Sequence, residues 1–233
     1  MQGTPPTISP SLRKQDWAYR QLRERILTGR LVPGELLSQE ALAAELGISR
    51  GPLRDALSRL ASENMVVDRP HQKWIVAAVS EADARDIYNG RAALESMLVA
   101  AAAQSPAHRR DGCDGALADL LDRQHAAASE GDPARLRAVD RTFHDTIYSL
   151  ADMPASMAAL DHLRAKSDRY ITLYLSDSGR AHTSLEEHTA ILRALRRGDA
   201  EQSAALTRSH VLGGLGMLIG SIDSQPANLT EKP

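Results

Sequence analysis

Residues 31–67 read LVPGELLSQEALAAELGISRGPLRDALSRLASENMVV. Ser38 predicts the start of a short helix, because serine is a preferred helix cap, and Gly47 predicts the end of that helix. Ser49 predicts the cap of a second helix, over residues 50–63. Only a tight turn lies between the two helices, so the sequence predicts a helix-turn-helix.

The segments on either side of this motif predict a winged form of it. Residues 12–28 have a helical apolar pattern, and residues 31–38 read as a turn. Residues 65–79, MVVDRPHQKWIVAAV, contain two short β-branched runs around a polar tip, which predicts a small hairpin. The order of helix, helix, turn, helix and hairpin is typical of a winged helix-turn-helix domain.

Charge divides the chain into two parts. Residues 1–79 carry 11 basic and 8 acidic side chains, whereas residues 80–233 carry 17 and 22. A mildly basic N-terminal part joined to an acidic C-terminal part predicts two modules, and the charge of the first is compatible with binding to a polyanion. We expect domains at 12–79 and 80–221, with disordered tails at 1–11 and 222–233.

Composition excludes several classes of protein. The single cysteine, Cys113, excludes a disulfide framework and a cysteine-based zinc finger. No apolar run approaches the roughly 18 residues of a membrane span, and the first dozen residues lack the pattern of a signal peptide. We therefore expect a cytoplasmic protein without a membrane partner.

Strand patterns are missing after residue 80, and the helical period takes over. Short turn segments separate the helical patterns, which predicts an antiparallel bundle of about six helices and a mainly α protein. The predicted helices cover residues 80–104, 111–130, 133–151, 154–176, 183–197 and 199–221.

Two arginines of the second predicted helix are candidates for reading DNA. Arg50 and Arg54 are four residues apart and project from one helix face. Arginine can donate two hydrogen bonds to guanine, so this residue type suits base readout. At the predicted hairpin tip, His71 and Lys73 could reach a phosphate or the minor groove. The alternative for the two arginines is an ordinary solvated helix face.

The sequence over residues 14–79 resembles the DNA-binding domain of GntR-type bacterial transcription regulators. The Pro-Gly turn, the Leu-Gly-x-Ser-Arg junction and the Arg-Asp-Ala-Leu stretch have the spacing of that family. The resemblance implies that Ser49, Arg50 and Arg54 contact DNA. Two positions depart from the family pattern: Gly51 stands where threonine is common, and Glu40 where many members have arginine.

Four polar side chains of the bundle are predicted to point inward from three helices. Asp140 and His144 border one apolar stripe, and His188 and His210 lie within the apolar stripes of two later helices. One carboxylate and three imidazoles suit a zinc, nickel or manganese ion with positions left open. The alternative is that each inward histidine is a hydrogen-bonded core residue.

The second part of the chain resembles the FCD-type all-helical effector domain of the FadR branch of GntR regulators. The stretches DRTFHDTIY and LEEHTAILRALRRGD and the histidine of TRSHV match that family's metal-binding pattern. The resemblance implies that the four inward residues are metal ligands and that Arg91 holds an effector carboxylate. An intrahelical pair between Arg91 and Glu95 is the alternative for that arginine.

These features predict a ligand-responsive transcription regulator, a repressor, rather than an enzyme. We expect a homodimer on a palindromic operator, with a small organic acid at the metal that alters operator affinity. The alternative is a metal-dependent hydrolase-like enzyme with an accessory DNA-binding module. Against the alternative, the chain has no His-Glu-x-x-His signature.

Overall fold

The structure is a computed structural model that describes residues 10–69, 74–106, 113–171 and 178–223. Over these ranges the chain forms nine helices and three short strands, which confirms the prediction of a mainly α fold. The chain divides into two compact units between Ser80 and Glu81. Within the same ranges, no helix combines the length and the apolar character that crossing a membrane requires.

The first unit has the element order that the sequence predicts, with one additional strand. Its first helix begins two residues earlier than expected, inside the segment 1–11 that we expected to be a disordered tail. A single apolar core, which includes Leu22, Leu53 and Leu57, joins its helices and strands. The elements are α1 Pro10–Leu27, β1 Leu36–Leu37, α2 Gln39–Leu46, α3 Arg50–Ser62, β2 Val66–Val67 and β3 Trp74–Val76.

The additional strand, β1, corrects the interpretation of residues 31–38 as a turn alone. The strand order is β1-β3-β2, and both pairings are antiparallel. Leu36 lies opposite Ile75, and Val66 lies opposite Val76. Strand β3 therefore ties the segment before α2 to the segment after α3.

The second unit consists of six helices over its described residues. They are α4 Glu81–Gln104, α5 Cys113–Ser129, α6 Pro133–Ser149, α7 Pro154–Ile171, α8 Ser178–Arg196 and α9 Ala200–Asp223. Helix α8 begins five residues earlier than predicted, and α9 extends into the segment 222–233 that we expected to be disordered. The predicted end of α7, at residues 172–176, lies outside the described residues.

Helix α4 is the central element of this unit, and it packs against α9, α7, α6 and α8. Small buried side chains such as Ala92 and Ala102 allow neighbouring helices to come close to it. Helix α6 begins at a clear signal, because Asp132 accepts a hydrogen bond from the Arg135 backbone N–H and Pro133 follows it. This start fixes the turn of α6 from which His144 points into the core.

Candidate functional site

The turn between α2 and α3 is held by backbone geometry. Gly47 has a φ of +62°, a left-handed conformation that glycine adopts without strain, and its N–H lies 3.3 Å from the carbonyl oxygen of Ala44. Ser49 occupies the cap position of α3, but its hydroxyl accepts no helix N–H from the residues that the structure describes. This exposed hydroxyl therefore differs from the one of Ser38, which accepts a hydrogen bond from Ala41.

Helix α3 has one buried face and one exposed face, as the sequence predicts. Its buried face packs into the core of the first unit and consists of Pro52, Leu53, Ala56, Leu57 and Leu60. Arg50 and Arg54 are exposed. The guanidinium of Arg50 lies 3.6 Å from the carboxylate of Glu40 on α2, and both side chains are largely in solvent. For Arg54, no ion pair is found within the described ranges.

His71 and Lys73, which we predicted to reach DNA, lie outside the described residues.

Three histidines from three helices of the second unit meet in its core. The Nε2 atom of His188 on α8 lies 3.1 Å from Nε2 of His144 on α6 and 3.3 Å from Nε2 of His210 on α9. His144 and His188 are 5% and 1% exposed, and His210 is 9% exposed. These residues form the group of potential metal ligands that we call the histidine triad.

Each histidine of the triad has a partner on its other ring nitrogen. Nδ1 of His188 lies 2.8 Å from the side-chain oxygen of Gln124, and Nδ1 of His210 lies 2.7 Å from a carboxylate oxygen of Glu187. Nδ1 of His144 lies 3.2 Å from the hydroxyl of Tyr148. Oxygen partners on Nδ1 favour the proton at that nitrogen, which leaves the Nε2 lone pair facing the centre of the triad.

Asp140 lies at the edge of the triad. Its carboxylate oxygen Oδ1 is 3.4 Å from Nε2 of His188, and its side chain is 38% exposed. Asp140 lies one helical turn before His144 on α6, so both side chains project from the same face of that helix. The fourth predicted ligand is thus adjacent to the triad but is more open to solvent than the histidines.

Burial favours the neutral form of His144. It lowers the pKa of His144 well below the ordinary histidine value, and His188 and His210 act in the same direction when they are charged. Neutral imidazoles are the form that binds metal ions, so the environment of His144 keeps it ready to act as a ligand.

A buried carboxylate connects this region to two arginines. Glu95, which is 1% exposed, lies 2.9 Å from Nε of Arg91 and 3.2 Å from Nη2 of Arg164, and it accepts a 2.8 Å hydrogen bond from Tyr148. Arg91 also donates to the hydroxyl of Ser167 at 3.2 Å. We call Arg91, Glu95, Tyr148 and Arg164 the arginine cluster. The Arg91–Glu95 pair that the sequence left as an alternative is therefore present.

Sequence reasoning missed the residues that support the triad and the cluster. Gln124, Glu187, Tyr148 and Arg164 carry no local motif, and only Glu95 was noted, as a neighbour of Arg91 at helical spacing. A polar residue inside an apolar stripe is the signal that could have indicated Gln124, because that side chain is fully buried. The remaining histidines that are described (His125, His162 and His182) are exposed.

Comparison with known protein families identifies the class of the protein. The family described as "FCD domain" matches residues 86–213, which is more than half of the chain. The family described as "Bacterial regulatory proteins, gntR family" matches residues 14–76. The chain belongs to the GntR family and carries an FCD domain.

Relatives of this GntR-family chain are named as transcription regulators. The HTH-type transcriptional repressor GlaR of Escherichia coli is 28% identical over 205 residues, which cover 83% of this chain and 90% of GlaR. An uncharacterized HTH-type transcriptional regulator of Agrobacterium vitis is 31% identical over 134 residues, covering 58% of this chain and 78% of that protein.

A solved structure supports the fold of the GntR-family chain. The structure of E. coli McbR/YncC superposes with a TM-score of 0.75 at 24% sequence identity, and the match covers 93% of this chain and 100% of that one. The protein is thus a DNA-binding transcription regulator, and the prediction that it is not an enzyme is confirmed. The hydrolase-like alternative is wrong, because the relatives are regulators.

Proposed function

We propose that this GntR-family protein is a cytoplasmic repressor whose FCD domain binds a divalent metal ion and a small organic acid. Binding of the acid alters the affinity of a homodimer for a palindromic operator. The observation that carries this proposal is the convergence of three Nε2 atoms, each on a ring whose Nδ1 faces an oxygen.

The triad fits a metal ion by distance. Two ligand atoms about 2.1 Å from a shared ion, at angles of about 90° to 109°, are about 3.0 to 3.4 Å apart. Two of the three Nε2 separations, those of His188 from His144 and His210, are 3.1 Å and 3.3 Å and fall within that interval, and all ligand atoms of the triad lie within 4.8 Å of one another. With the protons on Nδ1, the three Nε2 lone pairs face one another, an arrangement that a cation stabilises.

His144, His188 and His210 would hold the ion, with Asp140 as the fourth ligand. The donor set of imidazoles and a carboxylate suits zinc, nickel or manganese. Such an ion supplies a positive centre to which a carboxylate of the effector can bind. The greater exposure of Asp140 suggests that the side of the triad nearest to it is the more open one.

Arg91 supports the assignment of the effector as an organic acid. Its side chain is 15% exposed, whereas that of Arg164 is buried. Arg164 is also held by the carboxylate of Asp145 at 2.5 Å, which leaves the more exposed Arg91 as the candidate contact for an effector carboxylate. Arginine also suits such a partner because it donates paired hydrogen bonds to carboxylates.

The proposed contacts with DNA are made by α3 and the residue before it. Ser49, Arg50 and Arg54 are exposed at the start of a helix whose opposite face is buried. We propose that Arg50 and Arg54 read bases in the major groove and that the hydroxyl of Ser49 binds a phosphate. Repression is proposed because a relative of similar length, GlaR, is named as a repressor.

Metal content of the purified full chain tests the first half of the proposal. We expect about one divalent ion per chain in the wild type and in His162→Ala, whose histidine is exposed on α7. We expect His188→Ala to lose the ion while the tryptophan fluorescence of the first unit stays unchanged. Stoichiometric metal in His188→Ala would rule that histidine out as a required ligand.

DNA binding tests the second half. A duplex selected from a randomised pool is titrated with the protein, with and without short di- and tricarboxylic acids. We expect one of these acids to change the affinity of the wild type for DNA and to have no effect on His188→Ala. An equal response of both proteins would show that the acid acts without the metal centre.

A further inference from the structure

A continuous line of hydrogen bonds runs from the arginine cluster to the histidine triad. Arg91 and Arg164 hold Glu95, whose carboxylate lies 2.8 Å from the hydroxyl of Tyr148. The same hydroxyl lies 3.2 Å from Nδ1 of His144. Tyr148 and Glu95 are each 1% exposed or less, so water does not compete for these contacts.

The direction of each hydrogen bond follows from the number of protons available. Arg91 and Arg164 overcome the effect of burial and lower the pKa of Glu95 to about 2, so its carboxylate can only accept. Tyr148 has only one hydroxyl proton to donate, and its hydroxyl lies 2.8 Å from that carboxylate. That proton goes to Glu95, and the Tyr148 oxygen is left to accept from Nδ1–H of His144.

We propose that Tyr148 is a positioning residue that couples the arginine cluster to the metal centre by holding His144 with Nδ1 protonated and Nε2 turned toward the other two histidines. This inference rests on the proposed function for its metal ion. The contact itself is a property of the chain alone. Its role differs from that of a ligand, because Tyr148 acts through His144.

The coupling has a defined sign. A carboxylate that draws Arg91 toward itself leaves Glu95 with less positive charge nearby, so Glu95 accepts more strongly from Tyr148. The Tyr148 oxygen then accepts more strongly from Nδ1–H, which makes Nε2 of His144 a better metal ligand. Organic acid and metal therefore strengthen each other's binding, by the same factor in each direction.

Tyr148→Phe tests the inference, and Tyr170→Phe is the matched control. Tyr170 is fully buried in the same unit, and its hydroxyl donates to the carboxylate of Asp83 at 2.6 Å. Removal of either hydroxyl therefore deletes a hydrogen bond from a buried tyrosine to a carboxylate. Only the first change removes the contact with a histidine of the triad.

Two measurements are made on the full chain. The tautomer of His144 is determined in the metal-free proteins by NMR of ¹⁵N-labelled histidine, with the signal assigned by its loss in His144→Gln. The affinity for Zn²⁺ is measured by competition with a coloured chelator. We expect the Nδ1–H tautomer in the wild type and in Tyr170→Phe, and a mixture of tautomers in Tyr148→Phe.

We expect the Zn²⁺ dissociation constant to rise about 10- to 100-fold in Tyr148→Phe and to change less than about twofold in Tyr170→Phe. A wild-type Zn²⁺ affinity in Tyr148→Phe, or an Nε2–H tautomer in the wild type, would overturn the inference while leaving the metal site intact. If the wild type binds no Zn²⁺, Ni²⁺ or Mn²⁺, the proposed function fails. The inference is then decided by the tautomer of His144, and a wild-type His144 without the Nδ1 proton overturns the inference as well.

Discussion

Replacement of Glu95 by glutamine should destabilise the helical unit by about 3 kcal/mol at pH 7. The carboxylate is 1% exposed and contacts Arg91, Arg164 and Tyr148 at 2.9, 3.2 and 2.8 Å. Although burial acts to raise the pKa, the two arginines lower it from 4.5 to about 2. Since one pKa unit corresponds to about 1.4 kcal/mol, the ionised form stabilises the fold by about 3 kcal/mol relative to the neutral form.

The same value predicts how this contribution depends on pH. Because the folded-state pKa is the lower one, the unfolded chain takes up the proton first as the pH falls. The stabilisation is complete above the unfolded pKa of about 4.5 and is lost toward pH 2, with about 2 kcal/mol lost by pH 3. Glutamine does not titrate, so the difference between the two proteins should shrink from about 3 to about 1 kcal/mol.

Urea unfolding at pH 7 and pH 3 measures both quantities. Far-UV circular dichroism follows the helices, whereas Trp17 and Trp74, the two tryptophans of the chain, report on the first unit separately. Glu81→Gln on the same helix is the control, because Glu81 is 44% exposed and its pair with Arg85 is worth at most about 1 kcal/mol. Equal losses in the two variants, or a difference independent of pH, would refute this account of Glu95.

Three further predictions concern the first unit. Arg54→Ala should weaken binding to the selected duplex by about 1 to 3 kcal/mol. The stability of the fold should not fall, because Arg54 has no ion pair in the described residues. Anisotropy titrations that show unchanged affinity would mean that Arg54 reads no base. Glu40→Gln should strengthen duplex binding up to about fivefold, because it frees Arg50 from a carboxylate 3.6 Å away, and weaker binding would contradict this. Gly47→Ala should lower the free energy of unfolding of the first unit by about 1 to 2 kcal/mol, because a side chain at a φ of +62° is strained even though space is available. Gly51→Ala in α3 is the control and should not lower it. Unfolding monitored by tryptophan fluorescence compares the two variants, and equal stability of both would contradict this reasoning.

The sequence predicted the elements that local signals mark. Ser38, Gly47 and Ser49 place both ends of α2 and the start of α3, because caps and a left-handed glycine depend on only a few neighbouring residues. Strand β1 was missed for the converse reason. Its two residues are too few to show alternation, and its partner Ile75 lies far along the chain.

For the candidate site, helical periodicity predicted more than local motifs could. His144, His188 and His210 each stand on an inward face of their own helix, and the structure brings their Nε2 atoms together. Their partners could not be predicted in the same way, since Gln124 lies on a helix that carries no ligand and is 64 residues from His188. Only the packing of the helices brings such pairs into contact.

A metal ion held by the three histidines would cross-link distant parts of the chain. His188 is separated by 44 residues from His144 and by 22 from His210, so an ion held by all three closes two long loops at once. Closing loops restricts the unfolded chain, as a disulfide does, and binding to the folded state alone adds directly to stability. For a protein with a single cysteine, such an ion would then take the stabilising part that a disulfide plays in other proteins, in addition to its part in the response to an effector.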